Sequence, residues 1–343
     1  MSFTVESAIE TLGQAALARQ ADERFAERLG DVRDLLCDDL ATIERGLEQA
    51  LESGLSPGRD AAQHLVRLGG KRVRPMALLL SAACFGGISP AARQLALVAE
   101  LLHSATLLHD DVVDDGMERR GAVTARRLWG NAVSVLGGDF VLVRSLELTS
   151  QHAPQLMPSL VATLRQLIDG EIRQLRGRTQ LDVSETTYQL ILRDKTASLF
   201  RWSTQTGAAL GGASAEACER LARFGEHLGI AFQLVDDVLD YSGQQTGKTL
   251  LADLAEGKLT LPLVLAVAAR PELAKSLERI HAGDRAPVEH VGEQVVQSGV
   301  CEIVRQRARE HTDLALQALA TIPSSAAKGL LGDVAQQLAA RVA

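Results

Sequence analysis

Apolar residues recur at three- and four-residue steps along most of this chain, the spacing of one face of an α-helix. Leu95, Val98, Ala99, Leu102, Ala105 and Thr106 form such a stripe and lead directly into a run of aspartates. A second stripe, Leu221, Phe224, Leu228, Phe232 and Val235, predicts a helix from about residue 216 to 240. Helix-favouring Ala, Leu, Gln, Arg and Glu fill the segments between, and runs of β-branched or aromatic residues are few. Pro57, Pro90, Pro154, Pro158, Pro271, Pro287 and Pro323 fall where helices would start or stop. Roughly ten to twelve helices are predicted, with no strands alternating between them. With no polar linker, composition shift or internal repeat, residues 1–343 read as one large all-α domain.

Composition narrows the choice of partner. Of 343 residues, 46% are hydrophobic and 23% charged, which suits a globular core. The net charge of −7 argues against a nucleic-acid binder or a polybasic membrane binder. Cys37, Cys84, Cys218 and Cys301 are scattered without a CxxC pair, so reduced thiols in a cytoplasmic protein are expected rather than zinc or disulfides. Residues 1–7 lack the pattern of a signal peptide. Apolar segments such as Leu261 to Ala269 are too short to span a bilayer, so no transmembrane segment is expected.

The candidate chemistry begins in the sequence His109-Asp110-Asp111-Val112-Val113-Asp114-Asp115. On a helix Asp110 and Asp114 are one turn apart and Asp111 lies beside them, so like charges crowd one face. A divalent cation relieves that repulsion, and oxygen ligands suit Mg²⁺ bridging carboxylates to phosphate. Taken alone, the motif reads more readily as a solvated acidic helix end. An EF-hand is excluded, because Val112 and Val113 stand where its ligands and glycine belong. A second copy, Asp236-Asp237-Val238-Leu239-Asp240, ends the other apolar helix. Two such ends facing each other would make a carboxylate-lined mouth over an apolar interior.

Cations cluster around these motifs. Gly69-Gly70-Lys71-Arg72-Val73-Arg74-Pro75 puts three positive side chains beside a glycine turn, and Arg119-Arg120-Gly121 follows the first acidic motif. Lys195-Thr196, Lys248 and Lys258 add more. Guanidinium forks and ammonium groups are what diphosphates require. Two acidic cradles with basic groups suggest two diphosphates, one held through Mg²⁺ and the other directly by Lys and Arg.

In this order and spacing, the motifs between residues 69 and 262 resemble those of the trans-isoprenyl diphosphate synthases, most of all the bacterial long-chain, octaprenyl-type branch. The resemblance implies a helical bundle of the isoprenoid synthase type around a central apolar cavity, usually as a homodimer. It implies that Asp110, Asp111 and Asp114 on one side, and Asp236, Asp237 and Asp240 on the other, hold Mg²⁺ on an allylic diphosphate, with three ions typical. Arg119, Lys195 and Lys248 match direct contacts to that diphosphate. Gly70, Lys71, Arg74, His103 and Arg120 match the pocket for isopentenyl diphosphate, Thr196 and Gln233 the polar residues beside the reacting carbons, and Lys258 a distal basic position. The stretch Lys248-Thr249-Leu250-Leu251-Ala252-Asp253 departs from the family pattern by lacking a glycine, which leaves that loop's geometry open.

The implied reaction is Mg²⁺-dependent, head-to-tail condensation, with the released diphosphate removing the final proton. The resemblance also places the floor of the product cavity at Ala105 and Thr106. Their small side chains would let the tail descend toward Leu101, Leu102 and Leu148, giving a product of about 25 to 40 carbons. A geranylgeranyl synthase, a class I terpene cyclase and a non-catalytic synthase subunit are the alternatives, the last two disfavoured by the intact second Asp motif. Release of an apolar product implies transient contact with membranes.

Overall fold

The computed structural model describes residues 35–241 and 250–340. The predicted helices are there. The stripe at Leu95 to Thr106 belongs to α4 (Pro90–Val113), preceded by α1 (Cys37–Glu52), α2 (Gly58–Arg67) and α3 (Val73–Ala83). Ser89 opens α4 as its N-cap, its Oγ accepting from Ala92 N at 3.1 Å, and Pro90 takes the first helical position. Leu95, Val98 and Ala99 are buried to the last atom.

The chain then makes a small antiparallel hairpin, β1 (Glu118–Arg119) with β2 (Ala122–Val123), which the helical periodicity did not announce. Its two-residue turn, Arg120-Gly121, has positive φ at both positions (54° and 76°), the conformation that matches strand twist. After α5 (Ala125–Trp129) come two long helices, α6 (Asn131–His152) and α7 (Met157–Gln180). Next are α8 (Glu185–Ile191), a π-helical turn (Leu192–Ala197) and α9 (Ser198–Leu210).

The second predicted stripe is α10 (Ala215–Leu239), capped by Ser214 Oγ on Ala217 N. Leu221, Phe224, Leu228 and Val235 are buried along it. It is followed by α11 (Ala252–Ala255), α12 (Leu261–Ala269), α13 (Leu273–His281), α14 (Val288–Gln297), α15 (Val300–Leu319) and α16 (Ala326–Ala340). The described residues thus contain sixteen α-helical segments, more than the pattern suggested. Short pieces such as α5 and α11 are cut off by left-handed residues, Gly130 and Gly257, that end a helix without changing its apolar stripe.

The helices α4, α6, α9, α10 and α15 form the heart of the bundle: α10 packs on α9 and α15, and α4 on α6. Trp202 and Phe200 on α9 and Phe224 on α10 are among the largest wholly buried side chains. The backbones there approach so closely that a Cβ at Gly225 would lie 2.5 Å from Phe200 O. Among the described residues no helix is long and apolar enough to cross a membrane.

Between α10 and α15, His227 Nδ1 and His311 Nδ1 stand 3.0 Å apart, so one ring must donate and the other accept. Burial, then the neighbouring His227, holds the His311 imidazole down at about 4, and burial lowers His227 as well. Folded protein therefore binds fewer protons than unfolded chain between about pH 6.5 and 4, and stability from this pair falls as pH drops through that window. Thermal unfolding of His311→Asn between pH 7 and 4.5 should show a shallower loss of Tm than the native chain; equal slopes would refute the linkage.

Candidate active site

The two acidic helix ends share one mouth, joined across it by two chains of contacts. On one side Lys195 Nζ lies 3.6 Å from Asp110 Oδ2, and the adjacent Thr196 hydroxyl donates to Gln233 Oε1 at 3.3 Å. Gln233 Nε2 in turn donates to Asp237 Oδ1 at 2.9 Å. On the other side Asp240 Oδ1 accepts from Ala252 N at 3.0 Å, pinning the turn that carries Asp253. Lys258 then bridges Asp253 Oδ1 (3.2 Å), Glu256 Oε2 (2.6 Å) and Asp114 Oδ2 (3.6 Å).

The aspartates have separated roles. Asp111 is 2% exposed and accepts from Arg119 Nε at 2.8 Å, its Oδ1 lying 2.7 Å from Arg119 Nη2. Burial pushes its carboxyl up, and Arg119 partly offsets that. Asp110 and Asp114 face the mouth beside Lys195 and Lys258. Burial raises the Asp110 carboxyl, Lys195 opposes, and neighbouring Asp114 adds to the rise.

In the second motif Asp236 is half-buried at the rim. Asp237 is the most enclosed of the three, 1% exposed. It lies wholly inside, where Oδ2 accepts from Tyr188 Oη at 2.6 Å and Leu261 N at 3.2 Å, while Oδ1 takes Gln233. Burial pushes this carboxyl up to about 7. Asp240 Oδ1 accepts from the backbone of residues 252–253.

Lys195 and Thr196 ride on the π-helical turn, and Gly170 on α7 makes room for it: a Cβ there would lie 2.6 Å from Lys195 N. Burial pulls the Lys195 ammonium down, but Asp110 and Glu171 more than offset this and hold it above its ordinary value. Glu171, which pairs directly with Lys195, escaped the sequence reading. So did Arg178, whose Nη1 donates to Asp114 Oδ1 at 2.5 Å. Both sit on α7, a helix with no aspartate motif; the glycine before Glu171 was the available signal. Lys248 lies outside the described residues.

The basic pocket is assembled beside α3. Arg72, in a left-handed conformation (φ 50°), is buried and bonded to Glu44 at 2.7 and 2.9 Å and to Glu100 at 2.6 Å. It anchors the Gly69–Arg74 turn rather than facing a ligand, a division of labour among three adjacent cations that spacing did not reveal. Lys71 is exposed. Arg74 stacks over Phe200, Cζ 4.7 Å from the ring centre, and its Nε is buried with no hydrogen-bond partner. Burial draws that guanidinium down to about 10, which leaves it charged at neutral pH. A Cβ at Gly70 would meet Arg120 Nη2 at 3.1 Å, so glycine is what lets the hairpin arginine lie against the turn. His103 is pushed far below its ordinary value by burial and then by Arg74 and Arg120, and is neutral.

Below the first motif, Ala105, Leu101, Leu102 and Leu148 are buried in the α4–α6 region. Thr106 is half-buried and its hydroxyl donates to His103 O at 2.8 Å. No bulky ring stands at either 105 or 106.

Among the described residues no three His, Cys, Asp or Glu side chains close into a ready-made metal cage. The donor set is nevertheless all oxygen. Asp110, Asp114 and Asp236 offer hard oxygen ligands, which fits Mg²⁺ held by one or two carboxylates together with phosphate oxygens.

A family model described as Polyprenyl synthetase matches residues 58–298. The chain is 37% identical over 303 residues to octaprenyl diphosphate synthase of Escherichia coli (strain K12), covering 87% of this chain and 94% of that one. It is 35% identical over 326 residues to heptaprenyl diphosphate synthase component 2 of Geobacillus stearothermophilus, covering 92% and 99%. The crystal structure of a polyprenyl synthase from Caulobacter crescentus CB15, complexed with calcium and isoprenyl diphosphate, superposes with a TM-score of 0.86 at 35% identity, covering 92% of this chain and 98% of that one. The chain belongs to the polyprenyl synthetase family, a class of all-α prenyltransferases that use Mg²⁺.

The division of roles can be checked by thermal unfolding. Asp237→Ala strands the Tyr188 hydroxyl and Leu261 N–H and is expected to cost about 2–4 kcal/mol. Asp236→Ala, at the rim, should shift Tm much less; equal losses would contradict the assignment.

Proposed function

We propose that this chain condenses isopentenyl diphosphate with an allylic diphosphate, head to tail, to give a long-chain trans-polyprenyl diphosphate and diphosphate. The observation that carries the reading is the pairing of two sites. Two acidic helix ends are linked across one mouth. Beside them lies a basic pocket whose Arg74 Nε is buried and unpaired. One diphosphate reaches the carboxylates through metal; the other takes its charge from Lys71, Arg74 and Arg120.

Asp110, Asp114 and Asp236 are the carboxylates that would hold Mg²⁺, three ions being shared with the substrate between the two motifs. When bound, the ions neutralise charge developing on the leaving diphosphate. Lys195 and Lys258 supply further positive charge at that rim, and Lys248 is assigned with them by its motif position. Thr196 and Gln233 place oxygen dipoles beside the reacting carbons, where a developing cation needs partial negative charge. The apolar wall under Ala105 excludes water from that cation. His103, held far below its ordinary pKa by burial and then by Arg74 and Arg120, is a poor base, which leaves the departing diphosphate to take the proton.

Small residues at 105 and 106 favour a product beyond fifteen carbons, and the octaprenyl and heptaprenyl names of the two relatives agree in direction. We read the chain as one cytoplasmic catalytic domain acting as a homodimer. Exposed Leu136 and Val143 on α6, with Val161, Ile168, Ile172 and Leu175 on α7, form an apolar face that a second copy would cover. The "component 2" of the Geobacillus relative favours one other reading, a different chain on that face. Light scattering of the purified chain separates the two, and a lone monomer would remove the homodimer.

Incorporation of radiolabelled isopentenyl diphosphate into allylic primers tests the activity. Incorporation should require Mg²⁺ and fall by at least about a hundredfold in Asp110→Asn or Asp236→Asn. No incorporation with any primer would refute the proposal. In the same assay Ala105→Tyr should shorten the product; an unchanged product length would remove residue 105 as the floor.

A further inference from the structure

Arg178 projects from α7 seven residues after Glu171, so the two side chains emerge from nearly the same helical face. Its two terminal nitrogens are divided. Nη1 donates to Asp114 Oδ1 at 2.5 Å and Nη2 to the carbonyl of Glu256 at 3.0 Å. Both side chains of the ion pair are well shielded, 20% exposed for Arg178 and 10% for Asp114. A charge-assisted bond so placed is stronger than its counterpart in water.

The other oxygen of Asp114 is covered too, by Lys258 at 3.6 Å. Lys258 is a shared cation, nearer to Glu256 and Asp253 than to Asp114. Arg178 pairs with Asp114 through Nη1. On the neighbouring carboxylates the arrangement repeats: Arg119 occupies Asp111, and Lys195 stands between Asp110 and Glu171. Without these cations the rim would hold several buried like charges within a helical turn of each other. The guanidinium on Asp114 therefore occupies the carboxylate oxygen that a divalent cation would need.

We infer that Arg178 is a placeholder cation for Asp114, filling the carboxylate in the ligand-free protein and giving it up when metal and diphosphate arrive. The inference rests on the reading of Asp114 as a metal ligand. Arg178 retains the Glu256 carbonyl as its second partner, so its release from Asp114 need not leave the guanidinium without a hydrogen bond. In this role Arg178 is a positioning residue. It sets the concentration of metal at which the site fills and need not touch the substrate.

The test uses full-length protein, stripped of metal, with a non-reactive allylic thiolodiphosphate at fixed concentration. Free Mn²⁺ is followed by its electron paramagnetic resonance signal. Arg178→Gln removes the competing charge and should bind Mn²⁺ about tenfold more tightly than the native chain. Arg178→Lys, which keeps the charge, should stay close to native. The metal-free Arg178→Gln protein should also melt lower, and gain more in Tm on adding Mn²⁺ and the analogue. Asp114→Asn should weaken Mn²⁺ binding, and adding Arg178→Gln to it should then change nothing further.

Unchanged or weaker Mn²⁺ binding in Arg178→Gln, with Asp114→Asn weakened as expected, would overturn the placeholder and leave Asp114 as a ligand. Loss of analogue affinity in Arg178→Gln would overturn it in favour of direct diphosphate binding. Unaltered Mn²⁺ binding in Asp114→Asn would remove the premise itself.

Discussion

Several carboxylates are packed where water is scarce, and the architecture of the mouth is a response to that constraint. Asp110, Asp111 and Glu171 all have their carboxyls pushed up by burial. Two unit charges about 4 Å apart near a protein surface repel by about 4 kcal/mol, so ionised neighbours there need counter-charges close at hand. Arg119, Arg178, Lys195 and Lys258 provide them, each from a different part of the chain. Hairpin, long helix, π turn and the loop between α11 and α12 are thereby drawn to a single rim. Each of these carboxylates has a cation beside it.

Behind this rim stands a scaffold that fixes what must not move. Asp237 gathers Tyr188, Gln233 and the start of α12 around one buried carboxylate, and Asp240 pins the turn beyond the second motif. Gly170 admits the π turn against α7, which sets the height at which Lys195 and Thr196 enter the mouth. Arg173 of α7 pairs with buried Asp194 of the same turn and ties it to that helix. Positioning of this kind matters for a reaction whose cation must meet a double bond before it meets water.

The helices were legible because the large apolar residues of α4 and α10 recur at a period of 3.6, even though α4 is buried on every side from Leu95 to Leu102. The β1–β2 hairpin was not, since two residues per strand carry no period at all. The acidic motifs announced themselves by crowding like charges. What spacing could not reveal was which carboxylate turns inward: Asp236 and Asp237 are adjacent on a helix and therefore point about 100° apart. One meets the rim and the other meets Tyr188. Glu171 and Arg178 were hidden for a different reason. Their roles arise from α7 lying across the first motif, a tertiary fact with no local pattern.

The anchoring of Arg72 reaches beyond the segment that carries the motifs. Glu44, which takes two of its hydrogen bonds, belongs to α1, ahead of residue 58 where the family match begins. A fragment trimmed to the recognisable core would keep Lys71, Arg74, His103 and Arg120. It would nonetheless leave a left-handed, buried guanidinium with only Glu100 to hold it. The first helix is thus a strut for the basic pocket, and a fragment begun at residue 58 would lack it.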